Sequence, residues 1–321
     1  MILHMQDELY SYETLISDAK ALSEYYHHIL SCVTIGHSHD NRDIVLLKLG
    51  QGRKTMICCS GVHGRESVNP IILMRMIEYY ALLYTGYKSQ KEKLNQQLDI
   101  QKYHLTNEYE QMIFGACIYE LLQTFTILVI PLLNPDGYMI SLSGFDILNN
   151  KTLKDQCRNM KVPYQEWKFN GRGVDINRNF PCKLWRPKNA SDYAASENET
   201  KALISVFHSC HSKGFLDIHS RGRMIYYHRS QMTDKYNERQ RQIADRLKEI
   251  TGYTIVPPEN EIDAGDTGGN TVHYYSERFN KPALTIETVD EDASFPLDPR
   301  YREDTFEELK HVIFEFGSLI I

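Results

Sequence analysis

Four short apolar runs, each stopping at polar residues, constrain this chain more than anything else in it. They occupy residues 56–60 (MICCS), 124–131 (TFTILVIP), 214–219 (GFLDIH) and 283–287 (ALTIE). Runs of that length, rich in β-branched residues, read as strands buried on both faces. The segments between them carry helical periodicity, so the expected architecture is α/β: an α/β/α sandwich whose central sheet is mixed and mainly parallel. If the four strands are parallel, their polar ends share one edge, where ligands of open α/β sheets gather. His63 and Glu66 follow the first run, Asn134-Pro-Asp-Gly137 the second, Ser220 the third and Thr288 the fourth.

An imidazole with a carboxylate three residues on is a candidate pair of zinc ligands, although H-x-x-E is expected about once by chance in such a chain. His219 brings a second imidazole to that edge and Glu287 a spare carboxylate. Two histidines and one glutamate around an open fourth position form the donor set of catalytic zinc. Each residue also has a plainer reading, His219 as a hydrogen-bonded core histidine and Glu287 as half of a buried salt bridge.

The company these residues keep separates the readings. In order, over more than two hundred residues, His63-Gly-Arg-Glu66, Asn134-Pro-Asp-Gly137, Gly173-Val-Asp-Ile-Asn-Arg-Asn-Phe-Pro181, His219-Ser220 and Thr285-Ile-Glu287 resemble the zinc carboxypeptidase (carboxypeptidase A-like, funnelin) superfamily. Within it, Ser196-Glu-Asn-Glu-Thr200 and His219-Ser-Arg-Gly-Arg-Met-Ile-Tyr-Tyr227 are most similar to the bacterial γ-D-glutamyl-L-diamino acid peptidases, which act on cell-wall peptides.

The resemblance implies one zinc ion held by His63, Glu66 and His219, with Glu287 moving protons. It implies that Asn177 and Arg178 grip a substrate carboxylate, which suits a planar guanidinium and a directional amide. Lys168 stands where the family places an oxyanion-stabilising arginine; it brings charge without the fork, and Arg158 and Arg172 are rivals. Arg65, between the ligands, is expected to orient a carboxylate, and Asp175 and Asn179 to stabilise their loop. The family's active-site tyrosine falls at Ala264, a departure that Tyr226 or Tyr227 does not simply repair. Thr271 occupies the position that sets side-chain preference. Asp263 and Asp266, facing Arg221 and Arg223, suit an end group with both an amine and a carboxylate.

These implications favour a peptidase cutting γ-D-glutamyl-diaminopimelate or its lysine counterpart in murein peptides. A general metallocarboxypeptidase, an amidohydrolase and an inactive binding protein are the alternatives.

At 321 residues the chain is expected to form a single catalytic domain, residues 1–321, around one sheet. Its 36 basic and 42 acidic residues, net −6, are dispersed, which argues against a nucleic-acid partner. No run is long enough to cross a membrane, and the start MILHMQDELYSYETL lacks a secretion signal, so the expected location is the cytoplasm. Seven cysteines without framework spacing read as reduced core residues, with Cys58 and Cys59 pointing to opposite faces of a strand.

The remaining expectations concern elements. Helices are predicted at residues 7–29, 70–83, 108–123, 234–250, 271–279 and 302–319, with strands at 33–35, 43–49 and 54–60. Residues 86–107 read as a polar surface excursion, 138–171 as a long loop, and 265–269 as a glycine-rich turn. Ser196 with Glu199 reads as a capping box opening a helix through Cys210.

Overall fold

The computed structural model describes residues 2–4, 7, 9–94, 107–262 and 267–321. The four apolar runs become β3 (Lys54–Ser60), β4 (Phe125–Ile130), β5 (Ser212–Ser220) and β8 (Ala283–Thr288). They lie side by side in the order β4-β3-β5-β8, every neighbouring pair parallel. Outside them the sheet changes direction. β1 (Leu30–His37) and β2 (Asp43–Leu49) add antiparallel strands beyond β4. β6 (Met224–Tyr226) runs antiparallel to β8 and carries β7 (Thr254–Ile255) at the far edge. The result is one mixed eight-stranded sheet, mainly parallel at its centre.

Alternation along the strands divides the interior in two. Met56, Cys58, Leu216, Ile218 and Ile286 point into one core, covered by α1 (Tyr12–Tyr25), α2 (Val68–Leu94), α3 (Asn107–Thr124), α7 (Asp234–Thr251), α9 (Tyr301–Leu309) and α10 (Val312–Leu319). Ile57, Cys59, Phe215 and Ala283 point into the other, under α6 (Asn198–Ser209) and α8 (Thr271–Phe279). Period-two side chains require a cover on both faces, and the helices supply it. Cys58 and Cys59 part to opposite layers, and all seven cysteines are free thiols.

Several predicted elements change on folding. The helix of residues 7–29 narrows to α1, because the Ser11 hydroxyl accepts from the Thr14 N–H and starts it late. The loop of 138–171 takes in most of α4 (Pro135–Ser143) and all of α5 (Lys151–Asn159), capped by Asn134 and Asn150, whose side-chain carbonyls take the first free N–H groups. Residues 86–94, expected in the polar surface excursion, continue α2, while 95–106 lie outside the described residues. α6 begins at Asn198 with no side-chain cap, and the Ser196 hydroxyl donates instead to Glu197. The C-terminal helix breaks at Lys310-His311 into α9 and α10.

Candidate metal centre

β3 ends at Ser60, and Gly61, at φ +64°, turns the chain where a Cβ would meet the Leu132 side chain at 2.7 Å. The loop that follows is pressed onto Asn134-Pro-Asp-Gly137, so closely that a Cβ on Gly64 would lie 2.3 Å from the Gly137 backbone. Asn134 fixes the pair by donating to the carbonyls of Val62 (3.0 Å) and Phe169 (3.1 Å) while capping α4. Behind the loop, Asn69 at the start of α2 bonds Ser220 (3.0 Å) and Thr288 (2.7 Å), which bond each other at 2.6 Å. One hydrogen-bonded triangle thus ties the ends of β5 and β8 to the helix after the loop.

That frame converges His63, Glu66 and His219. Glu66 Oε1 lies 2.6 Å from His63 Nδ1 and Oε2 lies 3.3 Å from His219 Nδ1, and the imidazole centroids are 4.9 Å apart. One donor atom from each residue falls within 4.8 Å of the other two. Glu66 and His219 are buried, and Glu66 Oε2 and His219 Nδ1, which face each other, make no aligned hydrogen bond. Buried polar groups left so are costly. One nitrogen from each imidazole and a carboxylate oxygen, gathered with two of their atoms unsatisfied, fit a divalent zinc ion.

The charges agree. Burial works against ionised Glu66, yet His63 and His219 outweigh it and hold the carboxyl down to about 2. Burial likewise opposes the charged form of His219, while Asp217 and Glu66 push its pKa well above the ordinary value. A second buried cluster, His39 with Glu197 and Glu199, has another occupant: the Asn170 amide donates to both carboxylates, at 2.8 and 3.1 Å.

Glu287 stands beside His219 on the next strand, its residue in direct register. Burial, helped by the Glu66 charge and opposed by His219 and His63, pushes its carboxyl up to about 7. Oε2 of Glu287 is buried without a partner. Next to it opens a cavity of about 140 Å³ that His63, Asn177 and Arg178 also line. Asn177 is placed by Asp175, whose side chain accepts its N–H at 3.0 Å in the turn Ile176–Arg178.

Other expected residues sit differently. The Lys168 ammonium is 2.8 Å from Asp175 Oδ2, and Asp175 Oδ1 is 3.3 Å from His63 Nε2, so lysine and ligand share one carboxylate. Asp175 therefore does more than stabilise its loop: it braces His63 from behind. Arg65 turns aside, paired with Glu166 at 2.9 Å and stacked 4.3 Å from the Phe295 ring. Arg158 is bound to Asp146 at 2.7 Å, and Arg172 lines a neighbouring cavity of about 460 Å³ with Asp175 and Arg178.

Thr271 is fully buried; its N–H donates to the Asn177 side chain (3.1 Å) and its hydroxyl to Asp217. Tyr226 lines the smaller cavity, whereas Tyr227 is buried. Asp263, Ala264 and Asp266 lie outside the described residues, and Arg223 is committed to Asp290 and Glu308, at 3.0 Å each. Sequence reasoning missed Arg229, Glu261 and His273, which line the same cavity. Arg229 lay unused just past the motif that ends at Tyr227. Glu261 and His273 carried no local signal at all.

Two imidazoles and a carboxylate at strand ends, with a second carboxylate alongside, define a metallohydrolase type of site. The zinc carboxypeptidase family profile matches residues 15–311, and the chain belongs to that family of metallopeptidases. It is 22% identical over 293 residues to gamma-D-glutamyl-L-diamino acid endopeptidase 1 of Lysinibacillus sphaericus, covering 87% of this chain and 65% of the relative. It is 26% identical over 241 residues to human carboxypeptidase A6, covering 68% and 46%. The chain thus spans about half to two thirds of the length of these relatives. In fold it is similar to thrombin-activatable fibrinolysis inhibitor, with a TM-score of 0.70, 19% identity, and 97% and 74% of the two chains covered. A metallo-carboxypeptidase from Burkholderia cenocepacia gives 0.61 at 15% identity, covering 94% and 69%.

Proposed function

We propose that this chain is a zinc peptidase, one catalytic domain over residues 1–321, which hydrolyses an amide bond near a free carboxylate. Its favoured substrate is γ-D-glutamyl-diaminopimelate, or the lysine counterpart, in murein peptides. The observation carrying this reading is the wall of the 140 Å³ cavity beside Glu287, where Arg229 and Glu261 stand together with His273. Arg229 donates to the His228 and Ala283 carbonyls and Glu261 pairs with His273 at 2.9 Å, so this wall is polar and charged, which suits a substrate end group that itself bears charge. The relative named as a γ-D-glutamyl-L-diamino acid endopeptidase supports the same choice.

Zinc, held by His63, Glu66 and His219, would polarise the scissile carbonyl and acidify the attacking water. Glu287, which lines the cavity and has a buried oxygen without a partner, takes the proton from that water and returns it to the departing amine. Arg178 and Asn177 hold the substrate carboxylate from the same cavity. Lys168, braced by Asp175, serves the developing oxyanion, and Arg65 acts at the rim. Thr271 contributes from behind the wall by holding Asn177. We place the work in the cytoplasm, which suits seven free thiols.

A general carboxypeptidase is the second reading, favoured by the similarity to carboxypeptidase A6 and by Arg178 within reach of a C-terminal carboxylate. Incubating the zinc-loaded protein with a murein tripeptide and with N-blocked L-dipeptides separates the two. Release of the diamino acid from the tripeptide is expected; cleavage of the dipeptides alone would sink the cell-wall assignment.

A further inference from the structure

We propose that Asp217 is a positioning residue for the metal ligand His219, and that Thr271 holds Asp217 in that role. The inference rests on the zinc site proposed above but is independent of the substrate. Asp217 lies two residues before His219 on β5, so both side chains leave the same face of the strand. Asp217 Oδ2 is 3.0 Å from His219 Nε2, while the opposite ring nitrogen, Nδ1, faces Glu66 Oε2 at 3.3 Å. The imidazole is therefore polarised across its ring, with Nδ1 towards the other ligands and Nε2 towards a carboxylate.

Asp217 is fully buried, and a buried carboxylate is tolerated only where it is paired. Its Oδ1 has no hydrogen-bond partner, so Oδ2 carries the pairing, to His219 Nε2 and to the Thr271 hydroxyl. Thr271 opens α8, and its N–H also donates to Asn177 at 3.1 Å. One residue thus links the carboxylate behind His219 to the side chain proposed to grip substrate. Partners that fix the tautomer and orientation of a ligating histidine typically change metal affinity 10–100-fold when lost.

Competition with a chromogenic chelator measures zinc affinity without any substrate. Asp217→Asn should bind zinc about 10–100-fold more weakly than the natural chain. Thr271→Val should weaken binding in the same direction, and Thr271→Ser, which keeps the hydroxyl, should restore it. Affinities within about twofold of the natural chain in both Asp217→Asn and Thr271→Val would overturn the proposal. A measurement on the unaltered chain guards against variants that fail to fold: long-range ¹H–¹⁵N correlation of the zinc-loaded protein should show the His219 proton on Nε2. A proton on Nδ1 would refute the assignment. A natural chain that takes up no zinc would overturn the metal centre and this inference with it, whereas murein peptides left uncut by a zinc-loaded chain would count against the substrate alone.

Discussion

Glu287 is the residue on which the proposed chemistry turns, and it is separable from the ligands. Replacing it with glutamine keeps shape and burial but removes the base, so Glu287→Gln should lower kcat about 10²–10⁴-fold. Zinc content should stay at that of the natural chain; substantial turnover surviving in a zinc-loaded variant would remove Glu287 as the proton carrier. The placement of His63, Glu66, His219 and Glu287 at one sheet edge was readable in sequence because each sits just past or at the end of an apolar run, where strand geometry leaves little choice of direction. Thr271 was not. Spacing placed it at the start of a helix but said nothing of which side it faces, and its hydroxyl turns inward to Asp217. Arg65 marks a similar limit: its partners, Glu166 and the Phe295 ring, come from segments far from it in sequence.

At the scale of elements, α6 is anchored by a polar network rather than by a cap, and the network has a cost. Burial, with the Asp136 charge added, raises the Glu199 carboxyl to about 7 despite His39 and Asn170. A folded pKa above the unfolded one means that the native chain holds the extra proton between about pH 4.5 and 7. Stability on this account is greatest below that window and falls as pH rises through it. Glu199→Gln should remove the dependence, with a gain at pH 8 of about 1–3 kcal/mol over the natural chain. Thermal unfolding of both proteins at pH 5.5 and 8 tests this; a parallel pH response in the two would discard the explanation. The serine and glutamate spacing in Ser196-Glu-Asn-Glu-Thr200 matched a capping box, yet both side chains found buried or neighbouring partners, which a local pattern cannot foresee. Asn134 and Asn150, true caps, were hidden because the stretch around them reads as polar loop.

Across the whole molecule, the parallel block β4-β3-β5-β8 and the margin strands β1 and β2 were legible, and β6 and β7 were not. Continuous apolar runs announce strands covered on two faces, whereas β6 and β7 are three and two residues long and leave no periodic trace. The order of strands is set by contacts far apart in sequence, beyond any local pattern. Because the ligands come from β5 and from the loop after β3, a bound ion should brace the sheet globally. Zinc at about 100 times its Kd should add about 2.7 kcal/mol, or roughly 4–8 °C in Tm, reversed by a chelator; a Tm indifferent to zinc would contradict this. The pairing of His219 with Glu287 across β5 and β8 has one more consequence. Reactivity is written into neighbouring backbones that cannot drift apart, while the cavity wall of Arg229, Glu261 and His273 belongs to segments outside that block. What the proposed site prefers can therefore change while the chemistry proposed for it stays, and grafting that wall from a relative should transplant taste without disturbing competence.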